Sequence, residues 1–197
     1  MSKHLILFAH PYEKSFCSSI KQAITEQNKE NGIQTITRDL YKLNFAPLLS
    51  SQEIIALQQG TQFDDVLHEQ KLITEADVIS IIYPIWWTQM PAILKGYIDR
   101  VFSNGFAYKS VGHHQFEGLL KNKKVFIYNT IGTTMQESVD QGLIAAMKTL
   151  MHKGFIEYVG MEVSNHQYYN PFEMKKEEFE TTLQTIKNHI NNFNLNN

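Results

Sequence analysis

The 197-residue sequence predicts an α/β protein in three layers: a five-stranded parallel sheet of order 2-1-3-4-5 with helices on both faces. Three observations lead there. Short apolar runs alternate with segments whose apolar residues recur every three or four positions, as strands alternate with helices. Three of the runs are apolar throughout, which suits strands buried on both faces. The second and fifth are partly polar and belong at the sheet edges.

His4 to Ala9 is the first apolar run, and Phe16, Ile20 and Ile24 then mark one stripe of a helix that Asn31-Gly32 ends. Ile33 to Leu40, with Thr35, Thr37 and Arg38, reads as the polar second strand. Residues 41–62 lack a clean period and form a long connection with a short helix around Gln52 to Leu57. Phe63 to Ala76 reads as a helix and Asp77 to Tyr83 as the third strand. Pro91 suits the first turn of the next helix, because its missing N–H has no intrahelical partner there. That helix carries Leu94, Tyr97, Ile98, Val101 and Phe102; Pro91 to Tyr108 as a whole is richer in apolar residues than one helix face buries, and the surplus is assigned to a dimer interface. Val125 to Asn129 is the fourth strand, Val139 to Met151 a helix, and Phe155 to Val163 the fifth strand. A last helix, about Lys175 to Asn194, sets Phe179, Leu183, Ile186, Ile190 and Phe193 at helical spacing. No linker divides residues 1–197, which read as one domain.

Composition narrows the function classes. With 43% hydrophobic and 19% charged residues the chain has the apolar content for a full core. Eighteen basic against twenty acidic side chains leave a charge of −2, with no basic excess for nucleic acid. Cys17 is the only cysteine, which excludes an internal disulfide and a cysteine zinc cage. The run Val78 to Trp87 is about half a bilayer span, and Leu5 to Ala9 is too short for a signal-peptide core. The expectation is a soluble cytoplasmic protein without membrane insertion.

In a sheet of this order ligands bind beyond the carboxyl ends of the strands, where the order reverses between strands 1 and 3. The loop after strand 1 reads His10-Pro-Tyr-Glu-Lys-Ser15-Phe16-Cys17-Ser18, with neither a dinucleotide-binding G-x-G-x-x-G nor a P-loop. Its hydroxyls, imidazole and helix-start N–H groups suit a phosphate monoester. Ser15 reads equally as a helix N-cap, with His10 simply exposed. After strand 3, Trp86-Trp87 places two indoles at the ligand edge. Alternation turns one toward the crevice, where it offers an apolar face to an aromatic ligand; packing on a helix or a subunit is the other reading. After strand 4, Gly132 permits close backbone approach, and Thr134 to Glu137 has capping-box spacing.

These segments carry a resemblance. His10-Pro11 with Ser15-Phe16, the block Tyr83-Pro-Ile-Trp-Trp-Thr-Gln-Met-Pro-Ala-Ile-Leu-Lys-Gly-Tyr-Ile-Asp-Arg-Val-Phe102, and Gly105-Phe-Ala-Tyr108 resemble the NAD(P)H:quinone oxidoreductase family. Asp39-Leu40-Tyr41, Phe45-Ala46-Pro47 and Gly118 to Lys124 resemble it too. The resemblance implies a flavodoxin-like fold and a bound flavin, FMN in preference to FAD. It implies that NAD(P)H and a quinone-like acceptor share one slot in a ping-pong cycle. It also implies a homodimer whose subunits jointly build each pocket. His10, Ser15, Phe16, Cys17 and Ser18 match positions that hold the flavin phosphates. Pro84, Ile85, Trp86 and Trp87 match the segment along the isoalloxazine, with Trp87 the crevice-facing ring and Trp86 the one buried or set at a subunit contact. Asn129, Thr130, Ile131 and Gly132 match the pyrimidine-end loop.

Departures are visible as well. Ile131-Gly132 replaces a common glycine pair, and Glu137 and Leu143 fall where mammalian quinone reductases have a charge-relay tyrosine and histidine. No protein acid or base is carried over, because hydride transfer is the flavin's own chemistry. The same family includes ancillary flavoproteins of potassium efflux systems, so a regulatory subunit of a membrane transporter is the alternative reading. His113-His114 reads as a solvated loop, His152 as a cation suited to a helix end, and His166, Tyr168 and Tyr169 as candidates for the substrate mouth.

Overall fold

The computed structural model describes residues 2–195, with side chains placed to Asn192; Phe193, expected on the last apolar stripe, has its side chain outside them. In chain order the elements are β1 (Lys3–Phe8), α1 (Phe16–Glu30), β2 (Gln34–Asp39), α2 (Ser51–Gln58), α3 (Asp64–Glu75) and β3 (Val78–Pro84). They continue with α4 (Ala92–Val101), β4 (Tyr108–Gly112), β5 (Gln115–Gly118), β6 (Lys124–Thr130), α5 (Met135–Asp140) and α6 (Leu143–Met151). A π-helical turn, His152–Ile156, then leads to β7 (Glu162–Tyr169) and α7 (Lys176–Leu195). Five strands form one parallel sheet of order β2-β1-β3-β6-β7, the expected order with β6 and β7 as fourth and fifth strands.

Alternation along the central strands builds two apolar clusters. Ile6 and Phe8 of β1, Val78 and Ile82 of β3, and Phe126 and Tyr128 of β6 meet Ile20 and Ile24 of α1 and Ile186 and Ile190 of α7. The intervening Leu5, Leu7, Ile79, Ile81, Val125 and Ile127 meet Ile73 of α3 and Leu94, Tyr97 and Val101 of α4. Each strand residue thus buries its side chain on one of two faces, which is why these runs contain almost no polar residue.

The long connection is an ordered strap. Arg100 of α4 donates to Glu53 of α2 at 2.6 Å, to Asp65 of α3 at 2.8 Å and to the Ala46 carbonyl at 2.8 Å. Gly96 lets it lie flat on α4: a Cβ there would stand 2.0 Å from the Pro47 oxygen.

Four expectations need correction. The fifth strand is Glu162–Tyr169, not 155–163; Phe155 and Ile156 extend the preceding helix as a π turn and join the core from there. The expected helix 139–151 is α5 and α6, divided at Gly142, whose φ of +72° no regular helix accepts. A hairpin, β4–β5, escaped notice because its tip is His113-His114, both at positive φ (49° and 59°), where glycine or asparagine is the usual signal. The apolar surplus expected over Pro91 to Tyr108 is smaller than it reads: Leu94, Tyr97, Val101 and Phe102 are buried, and Ile93, Ile98, Phe106 and Tyr108 are half-buried against them. Exposed apolar side chains lie instead at Leu48, Leu49, Ile54, Ile55, Phe63 and Leu67.

Candidate functional site

The carboxyl ends of β1, β3 and β6 are tied together past the strands themselves. Ala9 N–H donates to the Ile82 carbonyl (3.0 Å), Ile85 N–H to Thr130 (2.7 Å), and Ile131 N–H to Tyr169 (2.9 Å). The three loops singled out in the sequence therefore meet at one edge.

In the first loop Ser15 caps α1, its Oγ accepting from Ser18 N–H at 3.2 Å. The Ser15 and Ser18 hydroxyls are 3.1 Å apart, and both side chains are half-exposed. Tyr12 N–H donates to His10 Nδ1 at 3.0 Å, which leaves the ring proton on Nε2 as a free-standing donor. Burial lowers the His10 pKa from its ordinary value, with the Tyr12 contact opposing. Phe16 and Cys17 open the helix, where N–H groups lack intrahelical acceptors. This donor set fits a phosphate monoester, and capping and binding are one arrangement.

Cys17 and Phe16 contribute only backbone. Phe16 is buried against Phe179 and Tyr169, at ring distances of 4.7 and 5.6 Å. The Cys17 thiol is buried 3.4 Å from Thr130 Oγ1, and burial pushes its pKa up to about 11 despite that contact. A reactive thiolate is excluded.

The second loop departs from the alternation expected of it. Strand β3 ends at Pro84, and Trp86-Trp87-Thr88-Gln89 is a tight turn closed by Trp86 N–H to Gln89 O (2.9 Å) and Gln89 N–H to Trp86 O (3.0 Å). Trp87 and Thr88 both have positive φ, 51° and 61°, the left-handed geometry that a type I′ turn demands and that glycine and asparagine usually supply. Trp87 is 97% exposed and Trp86 42%, so neither is a core residue. The expectation that Trp86 is buried is wrong for this protomer, because a turn obeys no strand alternation. Trp86 leans over the first loop, its ring 6.3 Å from His10. Ile85 is half-buried and Pro84 buried.

In the third loop Thr130 and Ile131 are buried, and Asn129 is wholly so. Gly132 is exposed, and a Cβ there would meet nothing within 4 Å, so its backbone borders open space. Thr134 Oγ1 accepts from Glu137 N–H at 3.2 Å and so caps α5, but the expected capping box is incomplete, because the Glu137 carboxylate accepts from Gln141 instead. Leu143 packs near Ile131, Met147 and Tyr168.

Beside these loops an apolar cleft of about 440 Å³ opens between α4 and α6, with Tyr83, Ile85, Gln89, Met90, Met147 and Phe155 among its walls. His152 sits at the end of α6, where burial, then Lys148, lowers its pKa, and its ring bonds His166 at 2.8 Å. His152, His166 and Asn129 were each singled out in the sequence, but their meeting with Tyr83 was not foreseen, since the sequence gives no sign that a histidine on an edge strand turns inward.

A parallel sheet with an open helix start, an exposed planar rim and a bare glycine backbone at its reversal point defines a protein that holds a phosphorylated, planar cofactor. Comparison with known proteins agrees. Residues 2–192 match the family described as having a flavodoxin-like fold. An uncharacterized NAD(P)H oxidoreductase of Haemophilus influenzae is 41% identical over 160 residues, 81% of this chain and 79% of its own. The ribosyldihydronicotinamide dehydrogenase (quinone) of Rattus norvegicus is 30% identical over 181 residues, 82% and 78% of the two chains. The solved NAD(P)H:quinone oxidoreductase of Methanothermobacter marburgensis superposes with a TM-score of 0.85 at 30% identity over 98% of this chain and 96% of that one. This chain belongs to the NAD(P)H:quinone oxidoreductase family of flavodoxin-like fold.

Proposed function

We propose that the protein is a flavin-dependent NAD(P)H oxidoreductase acting on a quinone-like acceptor, with FMN as its cofactor. The observation that carries this reading is the meeting, at one sheet edge, of the α1 start with Ser15 and Ser18, the Ile85–Trp87 rim and the bare Gly132 backbone. Ser15, Ser18, His10 Nε2 and the N–H groups of Phe16 and Cys17 would hold the phosphate. The backbones of Pro84, Ile85, Thr130, Ile131 and Gly132, with Trp86 and Trp87 above, would flank the ring system. A flavin held there would supply hydride and two-electron chemistry between NAD(P)H and the acceptor, and these residues would orient and desolvate it without serving as acid or base.

The scaffold we read here is one domain over residues 1–197, a three-layer sandwich. Among the described residues no helix is long and apolar enough to cross a membrane, and we place the protein in the cytoplasm. A homodimer formed through the apolar strip from Leu48 to Leu67 completes the reading. No feature of the site favours docking on a transporter. The test is reconstitution with FMN, followed by NADH or NADPH oxidation with a soluble quinone. Binding without turnover refutes the enzyme, and failure to bind FMN at micromolar concentration refutes the cofactor.

A further inference from the structure

Under the β3 and β6 loop ends runs a chain of hydrogen bonds to which the cofactor reading assigns no role. His152 Nε2 lies 2.8 Å from His166 Nδ1, His166 Nε2 lies 2.6 Å from Asn129 Oδ1, and Asn129 Nδ2 lies 3.3 Å from the Tyr83 carbonyl. The last member orients all the others. A carbonyl only accepts, so the amide nitrogen faces Tyr83 and the amide oxygen faces His166. His166 therefore carries its proton on Nε2, its Nδ1 is a lone pair, and His152 donates from Nε2. His166 is thereby fixed as a neutral ring in one tautomer.

A local irregularity brings these groups together. Up to Val125↔Val163 strands β6 and β7 run in register, and then Phe126 pairs with Asn165, so that Ser164 is an extra residue. This bulge shifts β7 by one position and turns every later side chain to the opposite face. His166 and Tyr168 thereby pair with Ile127 and Asn129 and point beneath the site, toward α6. Tyr168 stacks on His166 at 4.5 Å. The titratable and charged neighbours are Tyr168 on β7, Tyr83 on β3, Lys148 on α6, and His152 with Lys153 and Glu157 around the π turn. Burial, then His152 and Lys148, holds the His166 pKa down to about 3. A proton wire is excluded, because the chain ends in an amide that passes no proton on.

We infer that His166, braced by His152, is a positioning residue for the cofactor site: it holds the Asn129 amide on the Tyr83 carbonyl and so locks together the strand ends from which Pro84–Trp87 and Thr130–Gly132 spring. The inference rests on the flavin reading of those loops.

The experiment is FMN titration of the apoprotein at neutral pH. His166→Phe keeps the shape, loses the bonds, and is expected to bind FMN about tenfold more weakly. His166→Gln, whose amide can still donate to Asn129, is expected to restore most of the affinity. If His166→Phe does not fold, His152→Phe, at the half-buried end, carries the same contrast. Imidazole nitrogen shifts of the apoprotein give a cofactor-free readout, with His166 expected as the neutral Nε2–H tautomer. An Nδ1–H tautomer at His166, or variants that match wild type in affinity, overturns the inference while leaving the flavin reading intact. Wild type that binds no FMN overturns the reading and the inference with it.

Discussion

Ser15 does two jobs with one oxygen, and the two separate experimentally. Removing its hydroxyl costs the apoprotein a helix cap, about 1 kcal/mol. With FMN present, Ser15→Ala is expected to lose a further 1 to 3 kcal/mol or so of cofactor binding, the range for a partner taken from a charged acceptor. Thermal melts with and without FMN measure both, and equal losses would leave Ser15 a cap alone. Thr88 makes the opposite point. It is a β-branched residue held at φ 61°, next to Trp87 at 51°. Thr88→Gly relieves left-handed strain of about 1–2 kcal/mol, partly offset by the freer unfolded chain, and is expected to raise stability by about 1 kcal/mol. A denaturant midpoint that fails to rise shows the turn is unstrained. Strain of this kind, kept at the rim of a binding site, is what functional geometry retains against stability.

Gly96 decides how α2 and its strap meet α4. Because a Cβ would stand 2.0 Å from the Pro47 oxygen and 2.5 Å from its Cβ, Gly96→Ala must push the strap away and strain the Arg100 contacts to Ala46 and Glu53. The expected loss is about 3 kcal/mol, the size of a broken buried ion pair, read as a lower urea midpoint. This strap was illegible in sequence: its order comes from one arginine some fifty residues away, and no local period announces that. The strands fared otherwise. β1, β3 and β6 were legible because burial on both faces leaves a continuous apolar run, whereas β7 was not. Its true span, Glu162–Tyr169, is polar at an edge, while Phe155, Ile156, Val159 and Met161 fill the core from a π turn and a loop. The site loops were legible as loops, since topology alone places them together. Which of their side chains face out was not, because Trp86 and Trp87 sit on a turn, and Asn129 and Thr130 point into the protein.

Across the molecule, buried neutral histidines tie stability to pH. Burial holds His4 down to about 4, against the hydrogen bond from Asn28, and His166 down to about 3. Both lie below the unfolded value of about 6.5, so under that pH the unfolded chain binds more protons than the native one. Their contribution is complete above about 6.5 and is lost as pH falls toward the folded values, by about 1.4 kcal/mol per pH unit for each fully shifted histidine. Urea midpoints are therefore expected to drop steadily from pH 7 to 5, with His4→Gln flattening the slope. A curve level over that interval means these rings reach water in the native state.

The turn that carries Trp86 and Trp87 also sets what light reports about this protein. They are its only two tryptophans, and they stand side by side at the mouth of the site. The large buried phenols, Tyr97 and Tyr128, are in the interior. Indole emission from the folded chain is already that of a ring in water, so unfolding shifts its colour little, and a melt followed that way sees almost nothing of the core. Circular dichroism or tyrosine absorbance has to be used for that. Occupancy is another matter: a flat chromophore settling beside those indoles drains their excited state, so the same emission becomes a gauge of loading that stays blind to folding.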